Sequence, residues 1–131
     1  MDAARTSTAQ TAPDQTFTGR GVVLNYRLQG EGSRPLVCIH GVGSSLDAWE
    51  GVAAKLSDTF SILTLDLRGH GRSSLIKGRY EIDDFVGDVL ALADHAGFEE
   101  FDLAGFSLGG LIAQRLALMH GPRLRDRKSV V

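Results

Sequence analysis

A serine set among glycines, Gly105-Phe106-Ser107-Leu108-Gly109, stands where one apolar run, Phe101 to Gly105, gives way to another beginning at Leu108. G-x-S-x-G at a strand-to-helix junction presents a serine Oγ at the apex of a sharp turn, where it can attack a carbonyl. The flanking glycines have a steric reason, because the turn brings strand and helix too close for side chains and strains the serine's backbone. A serine ahead of an apolar helix can also simply cap it. The strand, turn and helix around Ser107 favour the nucleophile. A second glycine loop, His40-Gly41-Val42-Gly43 with Ser44 and Ser45, follows the apolar run 36–39. Such a loop can lend a backbone N–H, here that of Val42, to an oxyanion hole completed by the amide of Leu108. A third loop, 66–73, combines two glycines with Asp66, Arg68, His70 and Arg72. Read as an exposed turn, it is expected to pair Asp66 with Arg68 or Arg72.

The first loop admits a different chemistry. Gly41-Val42-Gly43 begins a dinucleotide-binding fingerprint, and Asp66 falls near the place of a ribose-binding acid. The third fingerprint position is Leu46, however, where close helix packing wants glycine, and this reading leaves the serine loop unexplained. A non-catalytic α/β binding module is the remaining alternative.

These loops need a scaffold that gathers them. Residues 21–28 read as an outer strand, 36–39 as a strand buried on both faces, and 60–67 and 101–105 as further strands. Between them, Ser44 or Ser45 can cap a helix through about Leu56, with Trp49, Val52, Ala53 and Leu56 on one side. Residues 82–96 put Ile82, Phe85, Val86, Val89, Ala93 and Ala96 on one stripe of a helix that Gly97 ends. A last helix runs from Leu108 to Met119, stopped by Gly121 and Pro122. Strands alternating with helices predict an α/β fold, a mostly parallel doubly wound sheet with helices on both faces. Ligands then gather at the carboxyl ends of the strands, where all three loops lie.

With 131 residues, 43% of them hydrophobic, the chain has the size of one globular domain. Its formal charge of −2 carries no basic footprint for nucleic acid or an acidic membrane surface, so a small molecule is the expected partner. The one cysteine, Cys38, sits inside an apolar run as a free buried thiol, which fits a reducing, cytoplasmic setting. Residues 1–16 read as a disordered tail without a secretory h-region. No run reaches the ~18 apolar residues of a membrane span, and nothing in the pattern calls for a metal or cofactor.

Taken in order and spacing, "HGVGSS", "DLRGHGRS" and "GFSLGG" resemble the α/β-hydrolase fold, over about Phe17 to Pro122. The likeness is strongest to the branch of 3-oxoadipate enol-lactonases, C–C bond hydrolases and cofactor-free haloperoxidases. The resemblance implies Ser107 as nucleophile and the amides of Val42 and Leu108 as oxyanion donors, supported by His40, Gly41, Gly43, Gly105 and Gly109. It implies hydrolysis of an ester, lactone or activated ketone. The family carries its triad acid and histidine after the nucleophile, and here the only later histidine is His120, at the far end of the helix that begins beside Ser107. Thirteen residues of helix place it about 20 Å away. His95 reads as a helix-end residue, and His40 and His70 lie on the right loops without a family role as base. Residues 17–131 are therefore expected to be the N-terminal part of a hydrolase, lacking triad acid and base and inactive alone. Such a part would leave an apolar sheet edge open to self-association.

Overall fold

The computed structural model describes residues 12–125. Five strands, β1 (Gln15–Gly19), β2 (Val22–Gln29), β3 (Arg34–Ile39), β4 (Phe60–Leu65) and β5 (Asp102–Gly105), form one sheet in the order β1-β2-β4-β3-β5. The parallel expectation holds for β4, β3 and β5, while β1 pairs antiparallel with β2 and β2 with β4, so the sheet is mixed. Strand β1 also moves the boundary of the expected tail: Gln15 and Thr16 pair with Tyr26 and Asn25. Residues 1–11 of that tail lie outside the described residues. The hairpin was hard to read because its two-residue turn, Arg20-Gly21, with φ of 55° and 81°, lacks the usual asparagine signal for two positive φ values.

Three α-helices follow the expected segments: α1 (Glu50–Leu56), α2 (Ile82–His95) and α3 (Leu108–His120). Helix α1 is preceded by a 3-10 turn, Leu46–Trp49, whose first free amides are met by Ser45 Oγ accepting from Asp47 N at 3.2 Å. The helices cover both faces of the sheet. On one face Phe85, Val89 and Leu92 of α2 and Ile112 and Leu116 of α3 pack with Leu24, Val37, Ile39, Leu63 and Leu65. On the other, Trp49, Ala53 and Leu56 cover Leu36, Cys38 and Ile62. Alternate side chains of β3 and β4 thus enter opposite cores, which is why these two strands read as continuous apolar runs.

Because β3, β4 and β5 run parallel, their carboxyl ends and the three glycine loops lie on one side of the sheet. Beyond β5, among the described residues, Phe101 just ahead of the strand forms one parallel bridge with Leu124. No helix among the described residues is long and apolar enough to cross a membrane.

Candidate functional site

At the end of β5, Phe106 N donates to Ile39 O at 3.1 Å, carrying the pairing with β3 one residue past the strand. The chain then reverses at Ser107, which has φ 58° and ψ −118°, and enters α3 at Leu108. Two close approaches enforce that path. A Cβ on Gly105 would stand 2.2 Å from Gly109 O, and one on Gly109 would stand 2.0 Å from Ile39 O. Any side chain at either position would push α3 off the sheet. Ser107 is exposed, and its hydroxyl makes no capping bond to α3. The simple helix-cap reading of this serine is therefore not what the fold does. A non-glycine residue held at positive φ costs free energy, and nothing in the local bonding of its side chain returns it.

The loop after β3 meets the elbow face to face. A Cβ on Gly41 would lie 3.0 Å from Ser107 Cβ and 3.2 Å from Phe106 O. The next residue, Val42, is 71% exposed. Among the described residues neither the Val42 nor the Leu108 amide takes part in a backbone hydrogen bond. Two donors beside one serine are thus left for something else.

Its neighbour His40 is the opposite case. It is buried, and both ring nitrogens are engaged by backbone: Nε2 lies 3.0 Å from Leu67 N and Nδ1 2.7 Å from Gly41 O. An amide can only donate and a carbonyl can only accept, which assigns the proton to Nδ1. Burial pushes the pKa of His40 down, and the His70 ring, 5.1 Å away between centroids, adds to the effect. A neutral imidazole with both nitrogens occupied has no place for a serine's proton. His70 is turned with Nδ1 3.0 Å from Arg68 O. His120 closes α3 at the end remote from Ser107, and His95 stacks against Phe17 and Tyr26 at the end of α2.

In the loop after β4 the expected ion pairs of Asp66 do not form. Asp66 is buried and accepts from Leu46 N (2.8 Å), Asn25 Nδ2 (3.0 Å) and Arg72 N (3.0 Å). Arg68 turns inward to Asp88 on α2, with Nε and Nη2 at 2.6 and 2.9 Å, and Arg20 joins the same carboxylate at 3.3 Å. The Arg72 guanidinium pairs with Asp14. Asp66, Leu67, Arg68 and Ser73 are buried, and a buried carboxylate takes the donors the surrounding chain offers, so the exposed-turn default fails here. The same bonds answer the dinucleotide alternative. Asp66 is 2% exposed with both oxygens already accepting from the protein, so a ribose cannot reach it, and Leu46, 1% exposed, fills the place where close approach would need glycine.

Sequence reasoning missed Asp88 and the recess beside the elbow. Asp88 stands three residues after Phe85 and four before Leu92, on the core-facing stripe, where a carboxylate signals a buried cation partner. The recess, about 300 Å³, is lined by His40, Gly41, Ala48, Trp49, Val52 and Phe106. The Cys38 thiol, by contrast, is buried and pushed up to about 12, which keeps it protonated and inert. Among the described residues no three His, Cys, Asp or Glu side chains gather to hold a metal ion.

The family profile described as alpha/beta hydrolase fold matches residues 34–127. 3-Oxoadipate enol-lactonase 2 of Acinetobacter baylyi is 38% identical over 104 residues, 79% of this chain and 39% of that protein. The pimeloyl-[acyl-carrier protein] methyl ester esterase of Aliivibrio salmonicida is 41% identical over 95 residues, 72% of this chain and 34% of that protein. Among solved structures, the enol-lactonase of Burkholderia xenovorans superposes with a TM-score of 0.81 at 35% identity, covering 84% of this chain and 44% of that one. The chain belongs to the α/β-hydrolase fold family. It spans between a third and a half of the length of these relatives.

Proposed function

We propose that the chain carries the nucleophilic half of a serine-dependent hydrolase site acting on small esters, lactones or activated ketones. Ser107 Oγ attacks the carbonyl carbon to form an acyl-enzyme, the amides of Val42 and Leu108 donate to the oxygen as it becomes negative, and water later releases the acid. The observation that carries this reading is the elbow: an exposed serine, strained at φ 58° and uncommitted to its helix, against a glycine loop with an unengaged amide. Hydrolase relatives at 34% to 41% identity support the reaction class.

The other half of the chemistry, a base and its orienting acid, is not assembled beside Ser107 among the described residues. His40 is spent on backbone, and His120 stands at the wrong end of α3. We therefore expect these 131 residues alone to hydrolyse esters only at background. Among the described residues the side of β5 away from β3 is bordered by a single bridge, and we expect an edge so little covered to pair with another chain.

The test is labelling with a fluorophosphonate, with and without added imidazole as an external base, followed by peptide mapping. The expected result is labelling at Ser107 that depends on imidazole and disappears in Ser107→Ala. Stoichiometric labelling without imidazole would show a working base within the chain, and imidazole-dependent labelling unaltered in Ser107→Ala would remove the nucleophile.

A further inference from the structure

The recess beside the elbow carries no ionised side chain in its wall. Its six lining residues include no Lys, Arg, Asp or Glu, and its one titratable member, His40, is held neutral by burial and by its backbone bonds. It borders the elbow, since Gly41 and Phe106, both in its wall, adjoin Ser107. Two of its lining side chains, Val52 and Phe106, 39% and 66% exposed, are among the large hydrophobic side chains left open to solvent. A larger groove of about 430 Å³ contrasts with it. That groove is lined by Arg20, Asp83, Asp94 and His120, and so lies at the end of α3 remote from Ser107.

A charged group entering the smaller recess would lose its hydration and find no partner ion, which is costly, whereas an alkyl chain or aryl ring would gain by leaving water. The charges flanking Ala48 and Trp49 in the chain, Asp47 and Glu50, are acids already paired with Arg27. They offer nothing to a carboxylate. A volume near 300 Å³ lies at the small end of ligand pockets and suits a short alkyl chain or a single ring.

We propose that this recess is a specificity subsite that receives an uncharged apolar group of the substrate, next to the carbonyl that Ser107 attacks, and rejects substrates carrying a carboxylate there. The proposal rests on the Ser107 reading for its role in turnover, while binding in the recess stands apart from it. Trp49 is the chain's only tryptophan and lines the recess, so its emission reports on occupancy.

The experiment titrates the 131-residue chain with matched pairs, hexanamide against hexanoate and benzamide against benzoate, at pH 7.5, reading Trp49 fluorescence. The amides are expected to give a saturable change and the carboxylates to bind at least tenfold more weakly. Ala48→Phe, at an exposed lining position, should abolish the response, and Val52→Lys should bring hexanoate to within a fewfold of hexanamide. Ser107→Ala should bind as the parent does, so binding without labelling would sink the nucleophile and leave the subsite. No saturable change with any probe, equal binding of carboxylates by the parent, or an unaltered response in Ala48→Phe would overturn the proposal.

Discussion

Two loops at the same end of the sheet, 66–73 after β4 and the elbow 105–109 after β5, treat their polar groups in opposite ways. In the first, Asp66 accepts three hydrogen bonds and Arg68 makes two to a buried carboxylate. His40, in the loop beside it, is bonded through both ring nitrogens. In the second, a serine sits in a disfavoured conformation, exposed and without a capping bond. The first loop spends its polarity on holding position. The elbow withholds its own, and a group left strained and unpaired at a strand's carboxyl end is the one available to react. The bonded loop also holds the loop 41–45 at both ends, since Asp66 accepts from Leu46 N just after it and Leu67 N donates to His40 just before it.

Breaking the bonded region should therefore cost stability. The largest effect is expected for Asp88→Ala, which leaves the Arg68 guanidinium buried and unpaired; urea unfolding should show a loss of about 4 kcal/mol. Gly109→Ala forces a Cβ onto Ile39 O and should cost about 3 kcal/mol by the same measurement. Asp66→Ala orphans three donors and should cost about 2 kcal/mol, with faster amide exchange at Leu46. For His40 the effect depends on pH. Its folded pKa lies below the ordinary value of 6.5, so the unfolded chain takes up the proton first. The stability His40 contributes is present above about 6.5 and is lost as pH falls below that toward the folded pKa. Unfolding midpoints at pH 7.5 and 5.5 should thus fall further for the parent than for His40→Asn.

Much of this contrast was legible before any coordinates. The apolar runs of β3, β4 and β5 and the stripe of α2 mark the scaffold, because both-face burial and helical period leave direct traces in sequence. The elbow was legible because close packing requires glycine at 105 and 109. The partners of Asp66 were legible only in small part, because local spacing favours the guanidinium groups of Arg68 and Arg72, whereas Arg72 gives only its backbone N and the other two bonds come from Asn25 and Leu46, about 40 and 20 residues away. The turn at Arg20-Gly21, whose positive φ values no asparagine announces, was not legible. Burial decides such pairings, and burial is a property of the assembled sheet.

The central claim is that Ser107 is kept at its position for chemistry and at a cost to the fold. Ser107→Gly tests it most directly, since glycine adopts this backbone freely and no capping bond of the serine is lost. Urea unfolding should show the variant more stable than the parent by about 1 kcal/mol, with an unchanged dependence on denaturant. A variant less stable than its parent would mean that the serine side chain supports the fold, and would contradict the account.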